Sequence, residues 1–471
     1  MSALSYTEHY DKTWEHLMQS QGRFALEEYG DRNVLTTWTM SYEQVQKQSN
    51  EAAWLLKLWG FLDHGELWYK LVAAASKLSK KVDVPTWLLS IAKDNLAYTD
   101  AVGLLSSYSL ADAREGSNSH SMHSVLHRWC GQLVEDKEQH VLGCIAAGIV
   151  AINVPSESEP EFSKKRKRLL GHAIGVSAWL INTGFAEEEE TDVGMIQEST
   201  YYNLGYFFAG EDRQKAVKMY QRALQGYEKA WGLEHTSTLD TVNNLGLLYA
   251  DLGRLDEAEK MYQRALQGKE KAWGLEHTST LSTVNNLGIL YADLGRLDEA
   301  EKMYQRALQG FEKAWGLEHT STLSTVNNLG NLYAKLGRLD EAEKMYQRAL
   351  QGYEKAIKPE NLSTYLPALR NVWSFASLYD LQHQVEDART WYSKALSGFE
   401  NVLGTDHLDC QELRSRLAGL GIESEQDDRS RAESSAQRPS ATDLSANIEA
   451  EAVKPASRRH KLFRKFRRKL G

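Results

Sequence analysis

The chain has 471 residues, of which 42% are hydrophobic, so it is long enough to form two or three domains with large cores. Its formal net charge is −9, and its three cysteines lie at unrelated spacings, which excludes a disulfide framework and a thiolate metal site. No signal peptide opens the sequence, and the longest apolar run, 141–154, is too short to span a bilayer. HExxH, CxxC and GxSxG patterns are absent. We therefore expect a cytoplasmic protein that is not an enzyme and needs no metal ion or cofactor.

Residues 1–80 are predicted to form helices that pack through tryptophan and leucine side chains. One helical face is expected near residues 14–18, and a second one near residues 52–59, where apolar residues recur at three- and four-residue steps. This segment is interpreted as a helical region with its own apolar core.

Residues 81–135 show a more mixed pattern. Pro85 is expected to open a helix that runs through Ile91, and residues 104–110 are predicted to form a strand. Gly116 with the two residues after it marks a hairpin turn before the segment from Met122 to Trp129. A helix, a strand, a turn and a segment that runs back after the turn together predict a winged-helix-like domain.

Three stretches of this N-terminal part, residues 35–45, 55–71 and 121–130, resemble the back half of the NB-ARC module of fungal NLR-like (STAND) proteins. In that family the histidine of a Met-His-Asp triplet contacts the β-phosphate of bound ADP. The resemblance places His123 at that position, with Ser124 where the family has Asp. No GxxxxGK[ST] phosphate loop occurs in the sequence, so nucleotide is not expected to bind. We therefore favour a packing role for His123 and expect the chain to be truncated at its N-terminus relative to that family.

Residues 136–194 are predicted to be a helical linker with helices near 136–152 and 162–182. The basic run Lys164–Arg168 has two interpretations, a nuclear or anion-binding signal and a solvated helix face. An apolar stripe continues the same helix from Leu169 to Ile174, so the solvated face is favoured. Glu187–Glu190 is expected to form an exposed acidic loop.

Residues 195–420 contain three consecutive, nearly identical blocks of 42 residues, from Gly232 to Ile357. A repeat of this size predicts stacked copies of one supersecondary unit. In the middle block, apolar residues from Leu281 to Tyr291 predict a first helix that Gly295 ends, and residues 297–315 predict a second helix. One further hairpin is expected on either side of the blocks, with a helix near 408–420 that caps the stack. The array therefore has about five repeats.

Each block carries small and aromatic residues at fixed offsets, which in the middle block are Leu287, Gly288, Tyr291, Ala300, Tyr304 and Ala307. This pattern resembles the tetratricopeptide repeat (TPR). The long period and the GLEH linkers are similar to the TPRs of kinesin light chains and of fungal NLR-type receptors. The resemblance implies an all-α fold, a TPR helical-hairpin superhelix preceded by a helical and winged-helix region.

The three blocks differ at five positions: Asp240/Ser282/Ser324, Leu247/Ile289/Asn331, Asp251/Asp293/Lys335, Lys269/Phe311/Tyr353 and Trp273/Trp315/Ile357. The first three positions fall within an arc of roughly 40° on the first helix. By resemblance to TPRs this arc faces the concave groove, and asparagines border it. Free drift after duplication would also explain the differences, but the exposed outer positions have not drifted. The predicted ligand-binding residues are Asp240, Asn243, Asn244, Leu247, Asp251, Ser282, Asn285, Asn286, Ile289, Asp293, Ser324, Asn327, Asn328, Asn331 and Lys335.

Residues 421–471 are predicted to form a disordered polar tail whose end is basic and amphipathic. From Lys454 onwards the sequence holds nine lysines and arginines and no acid. Three interpretations stay open: contact with an anionic membrane, a nuclear signal, or folding back on the acidic array. The residues proposed for membrane or anion contact are Arg458, Arg459, Lys461, Phe463, Arg464, Phe466 and Arg467.

The resemblances together imply a protein-binding scaffold, the ligand-sensing TPR part of a fungal NLR-like immune or allorecognition receptor. Its partner would be a peptide or protein segment, and no nucleic acid is expected. A kinesin-light-chain-like cargo adaptor is the alternative, but residues 1–200 lack the sustained heptads that such adaptors need. A second alternative is a STAND switch driven by ADP or ATP.

Overall fold

The computed structural model describes residues 34–78, 84–156, 159, 161–184 and 198–421. The chain divides into two compact units, Met1–Leu204 and Gly205–Gly471. The predicted all-α fold of stacked helical hairpins is confirmed, because the described residues are almost entirely helical. None of the described helices is long and apolar enough to cross a membrane. The domain boundaries drawn from the sequence stay predictions, and the helical face near 14–18, the acidic loop 187–190 and the tail beyond 421 lie outside the described residues.

The described part of the first unit consists of helices of 5 to 23 residues and one small hairpin. Two short 3₁₀ turns, Ala74–Lys77 and Gly131–Leu133, connect neighbouring helices. The elements are α1 (Val34–Gln48), α2 (Asn50–Trp59), α3 (Tyr69–Ala73), α4 (Thr86–Lys93), α5 (Asn95–Ser107), β1 (Asp112–Ala113), β2 (His120–Ser121), α6 (Ser124–Cys130), α7 (Asp136–Ile152) and α8 (Phe162–Gly184).

The predicted strand over residues 104–110 is wrong, because most of that segment belongs to helix α5. Asp94 caps this helix by accepting a hydrogen bond from the Leu96 N–H. Its buried residues, among them Tyr98, Val102 and Leu105, follow the spacing of a helical face, which a short apolar run cannot distinguish from a strand. The predicted turn is present: Gly116 has φ 75° between β1 and β2, which pair antiparallel.

The second unit is a stack of helical hairpins in which each hairpin packs on the next along the chain. Within each hairpin a first helix contacts a longer second helix. The helices are α9 (Glu198–Ala209), α10 (Arg213–Trp231), α11 (Thr236–Asp251), α12 (Leu255–Trp273), α13 (Thr278–Asp293), α14 (Leu297–Trp315), α15 (Thr320–Lys335), α16 (Leu339–Ala356), α17 (Pro359–Leu362), α18 (Leu366–Leu381), α19 (Val385–Leu403) and α20 (408–421).

A glycine and a tyrosine ring hold each hairpin together. In the middle block, a Cβ added to Gly288 would lie 2.8 Å from the Tyr304 ring, so only glycine lets helices α13 and α14 approach this closely. Tyr304 is fully buried and cannot move aside. The same contact joins Gly246 to Tyr262 and Gly330 to Tyr346. The repeated Leu-Gly and Tyr positions of the sequence therefore determine the distance between the two helices of the hairpin.

The stack ends on helix α20. Its residues Cys410, Leu413 and Leu420 are buried against Trp373 and Phe399 of the last hairpin. An end hairpin exposes an apolar face that no further repeat covers. Helix α20 covers that face.

Substitution of Gly288 by alanine tests the close approach. Overpacking against a fixed ring costs about 1–3 kcal/mol, which exceeds the roughly 1 kcal/mol that alanine gains over glycine in a helix. We therefore expect Gly288→Ala to lower the free energy of unfolding, measured by urea denaturation. Gly419→Ala in α20, where nothing lies within 4 Å of the added Cβ, is the matched control and should be neutral or stabilising. Equal effects of the two substitutions would contradict the role of the tyrosine contact.

Candidate peptide-binding face of the helical array

Short polar side chains connect the first helices of neighbouring hairpins. The side-chain carbonyl of Asn285 accepts hydrogen bonds from Thr325 Oγ1 at 3.2 Å and from Asn328 Nδ2 at 3.4 Å. Asn243 accepts the equivalent bonds from Thr283 and Asn286, at 3.1 and 3.3 Å. Asn327 accepts from Asn371 Nδ2 at 2.8 Å and carries the row on to α18. An asparagine row therefore joins four successive first helices, α11, α13, α15 and α18.

Long charged side chains connect the second helices instead. Arg306 of α14 pairs with Glu270 of α12 at 2.7 Å, and the pairs Arg264–Glu228 and Arg348–Glu312 repeat this contact on either side. An arginine and a glutamate bridge a wider gap than two asparagines do. Neighbouring first helices also approach each other more closely than neighbouring second helices do, so the first helices form the inner side of the array. We call the surface formed there by α11, α13, α15 and α18 the inner face.

The predicted ligand-binding residues all lie on the first helices, but the structure already engages several of them. The asparagines bond between helices, and Asn327, Asn328 and Asn331 are buried. Ser282 is exposed. The remaining predicted residues are half-buried, namely Asp240, Asn243, Asn244, Leu247, Asp251, Asn285, Asn286, Ile289, Asp293, Ser324 and Lys335.

Two of the five variable positions contact each other within the hairpins of the first and third blocks. Asp240 makes an ion pair of 2.8 Å with Lys269, whose side chain is only 3% exposed. In the third block, Ser324 and the Tyr353 hydroxyl share a hydrogen bond of 3.0 Å at the equivalent positions. In the second block Phe311 occupies this space and is buried. The two positions therefore change together for a packing reason, a relation that the sequence alone did not reveal.

The middle variable position differs in its environment from block to block. Leu247 and Ile289 are half-buried aliphatic residues on the inner face. Asn331 is buried, and its carbonyl accepts a 2.8 Å hydrogen bond from the Tyr346 hydroxyl. The aliphatic contribution to the inner face therefore comes from the first two blocks.

The third variable position gives the inner face a charge gradient. Asp251 lies 3.5 Å from Arg213. Burial raises the pKa of the Tyr262 hydroxyl, and the negative charges of Asp251 and Asp293 raise it further, so both carboxylates lie near that hydroxyl. Lys335 takes the same position in the third block and donates to the Ala292 carbonyl. The face changes from acidic to basic along the chain direction.

The last hairpin continues this change. The Ser377 hydroxyl shares a 3.2 Å hydrogen bond with the Tyr392 hydroxyl, as Asn331 does with Tyr346, and this correspondence aligns Arg370 with Ser324. Arg370 acts electrostatically on the Tyr353 hydroxyl and forms no ion pair with any described residue. A second basic side chain, after Lys335, therefore lies at the C-terminal end of the inner face.

His123 has a structural partner in the first unit. Its Nδ1 accepts a hydrogen bond of 3.2 Å from the Val125 N–H and so caps helix α6. His235, His277 and His319 cap α11, α13 and α15 in the same way, each at 3.2 Å. A histidine placed just before the helical pattern was the available sequence signal for this role.

The other candidate residues give no further site among the residues that the structure describes. Lys164, Lys165 and Arg168 of the basic run pair with Glu161, Glu159 and Glu66 at 3.5, 2.8 and 2.7 Å, in line with a solvated helix face. Within the described ranges no group of three or more side chains is placed to hold a metal ion. Arg458, Arg459, Lys461, Phe463, Arg464, Phe466 and Arg467 lie outside the described residues.

Residues 197–271 and 279–355 match the family model of the tetratricopeptide repeat. The hairpins within these two ranges have the pattern of tetratricopeptide repeats. The residues that mark them, a Leu-Gly pair in the first helix and Ala-x-x-x-Tyr in the second, are those of the Gly288–Tyr304 contact. This TPR array is a scaffold fold built from one repeated unit.

Several solved structures are similar to the chain at low sequence identity. The TPR-like repeats of a putative kinesin light chain from Podospora anserina are 20% identical, with 43% of this chain and 94% of that chain covered and a TM-score of 0.35. NprR in complex with its cognate peptide NprX is 15% identical over 65% and 81%, with a TM-score of 0.41. A STAND protein with a tetratricopeptide repeat sensor from Pyrococcus horikoshii is 16% identical over 89% and 59%, with a TM-score of 0.40. No curated protein sequence matches the chain.

The Asp240–Lys269 pair can be exchanged for the residues of the second block. Asp240→Ser alone leaves a buried ammonium group without its carboxylate, which should cost about 2 kcal/mol given that Asp240 itself is 39% exposed. The double variant Asp240→Ser with Lys269→Phe reproduces Ser282 and Phe311 and should recover that loss. A double-mutant cycle from urea denaturation measures the coupling. Additive effects of the two substitutions would show that the positions are independent.

The capping role of His123 predicts a stability effect and no nucleotide effect. His123→Ala should lower the free energy of unfolding by about 1 kcal/mol, while His123→Asp should retain it, because aspartate also accepts from a backbone N–H at a helix start. Without a phosphate loop, ADP and ATP should bind to neither the parent chain nor these variants in calorimetry. Stoichiometric ADP binding that His123→Ala abolishes would assign the histidine to a nucleotide instead.

Proposed function

We propose that the TPR array is a protein-interaction scaffold whose inner face binds an extended segment of another protein. The observation that carries the proposal is where the nearly identical blocks differ. The outer residues Glu259, Lys260 and Arg264 recur unchanged in all three blocks, while three of the five variable positions lie on the inner face. The variable side chains therefore lie on the surface that a bound segment would contact.

The chemistry of the inner face defines a ligand. Asp240, Asp251 and Asp293 favour basic side chains at the first two blocks, and Lys335 with Arg370 favours acidic side chains farther along. Leu247 and Ile289 offer aliphatic contact between the acidic positions. A segment that carries basic and apolar residues at one end and acidic residues at the other complements this surface in one direction.

The hydrogen-bonding groups of the face suit a peptide backbone. Asn286 donates its amide to Asn243, and its side-chain carbonyl forms no hydrogen bond with a described residue. A half-buried carbonyl of this kind can accept from a backbone N–H of the ligand. We expect such a contact to add affinity without sequence preference, so that the charged positions determine specificity.

We further propose that the chain is the ligand-sensing part of a fungal NLR-like receptor located in the cytoplasm. The support is the resemblance of residues 35–45, 55–71 and 121–130 to the back half of an NB-ARC module. The order α4, α5, β1, β2 and α6 is compatible with a winged-helix-like domain. A kinesin-light-chain-like cargo adaptor is the second candidate, favoured by the long repeat period, and would use the same inner face. The nucleotide test of His123 distinguishes both from an ADP-dependent switch.

A peptide-display selection tests the recognition site. We expect random 15-residue peptides selected on the parent chain to be enriched in basic residues. They should lose affinity for the variant Asp293→Lys with Lys335→Asp, which interrupts the charge order at two neighbouring blocks without changing the net charge. Each substitution places a residue that another block already carries at that position, so folding should be retained. Fluorescence anisotropy of a selected peptide measures the affinity, and we expect at least a tenfold loss.

The matched control moves the same charges on the outer side of the array. Asp298→Lys with Lys344→Asp exchanges an exposed acid and an exposed base on the second helices α14 and α16 and should leave peptide affinity unchanged. Selected peptides that ignore the inner-face exchange but lose affinity for the outer one would place recognition on the second helices.

A further inference from the structure

The charge order of the inner face runs along the chain. At its N-terminal end, Asp240 is 39% exposed while its partner Lys269 is 3% exposed, so the solvent meets the carboxylate of the pair. Asp251 and Asp293 add negative charge near Tyr262, with Arg213 beside the first of them. At the C-terminal end the equivalent positions carry Lys335 and Arg370. The carboxylates of the inner face therefore lie at its first blocks, where Asp240 and Asp251 each have a basic partner, and its added basic side chains lie at its last hairpins.

The sequence that comes after the array has the opposite order of charges. Residues 422–451 contain eight Asp and Glu against three Arg, whereas residues 454–471 contain nine Lys and Arg and no acid. The basic part also carries apolar residues, namely Leu462, Phe463, Phe466 and Leu470. The acidic residues therefore precede the basic residues in this segment.

The place where the chain leaves the array decides the direction of a return path. Helix α20 packs on the last hairpin and is described up to residue 421, so the segment that follows starts from the basic end of the array. A segment that returns along the inner face first brings its acidic part to Lys335 and Arg370. Its basic and aromatic part then reaches Asp240, Asp251 and Asp293, beside Leu247 and Ile289. In this direction both parts of the segment lie beside side chains of opposite charge.

The connecting length is sufficient for this path. Between Gly421 and Lys454 lie 32 residues, which at about 3.3 Å each can extend roughly 100 Å. Helices pack about 10 Å apart, so the first two blocks lie roughly 30–40 Å from the last hairpin. The basic part therefore reaches the acidic end with length to spare.

We infer that the C-terminal segment, residues 422–471, occupies the inner face of its own TPR array as an internal ligand. The inference rests on the proposed function of that face. A segment tethered to the array competes at high effective concentration with any other protein that binds there. Binding of a partner then requires the segment to leave, which also frees its basic residues. The tail thereby regulates access to the recognition site.

Zero-length carbodiimide cross-linking of the full chain tests this contact, because it joins a lysine amine only to a carboxylate that touches it. We expect cross-links from the lysines of residues 454–471 to Asp240, Asp251 or Asp293, and from acidic residues of 422–451 to Lys335. A mixture of ¹⁴N- and ¹⁵N-labelled chains identifies cross-links within one molecule. The cross-links at Asp240 and Asp251 should decrease in Asp293→Lys with Lys335→Asp, and all of them should disappear at about 0.5 M salt, where exposed charges are screened. The outer exchange Asp298→Lys with Lys344→Asp should leave them in place.

A competition measurement gives an independent readout. With Phe463→Asp and Phe466→Asp in the full chain, a peptide from the display selection should bind at least tenfold more tightly than to the parent chain. Cross-links spread over outer acids such as Asp298 and Asp340, or formed only between labelled and unlabelled copies, would overturn the inference. So would the absence of cross-links in a chain that sediments with phosphatidylserine vesicles.

The outcomes separate the two proposals. Displayed peptides that depend on the inner face, together with no tail cross-links and no competition, would reject the internal ligand and leave the recognition site standing. Tail cross-links at the inner face, together with displayed peptides that bind elsewhere, would reject recognition of other proteins there and leave the intramolecular contact standing.

Discussion

The contact between a helix glycine and a buried tyrosine ring is the constraint on which the array depends. At Gly288 there is no room for even a methyl group beside Tyr304, so the two helices of the hairpin lie as close as their backbones permit. That distance determines where the first helix presents its remaining faces. One side packs on the second helix, and the opposite side is left for the inner face. Since the same contact recurs in every block, all first helices present the same residue positions inwards.

Two kinds of lateral contact then convert identical hairpins into a curved array. Asn285 and its equivalents hold the first helices together through short side chains, while Arg306–Glu270 and its equivalents span the second helices. Hydrogen bonds to the next repeat offset the cost of burying the asparagines, so these residues stabilise the array and its register at once. Their apparent suitability for a peptide backbone is therefore only partly realised, and Asn286 is one member whose carbonyl forms no hydrogen bond with a described residue.

The sequence was sufficient to predict the repeated helices but not the side-chain contacts between them. The bounds of the helix Leu297–Trp315 follow directly from its apolar stripe and from Gly295, because those signals are local. The pairing of Asp240 with Lys269 joins residues of different helices, and three copies of a block are too few for their joint variation to be recognised. The segment 104–110 was misassigned because Leu104, Leu105 and Leu110 fit a buried strand as well as a buried helix end. His123 was interpreted through its resemblance, although a side chain that caps α6 explains it locally.

Near identity of the repeats creates a problem of register that the inner-face charges resolve. If all blocks presented the same side chains, a bound segment shifted by one repeat would make the same contacts, and neither its position nor its direction would be defined. The change from Asp251 and Asp293 to Lys335 removes this degeneracy, because a shifted or reversed segment brings like charges together. The cost of such a mismatch grows where the groups are half-buried, since the lower local dielectric strengthens repulsion. If the inner face binds a segment as we propose, a few substitutions in an otherwise repeated surface are enough to give that segment one preferred orientation.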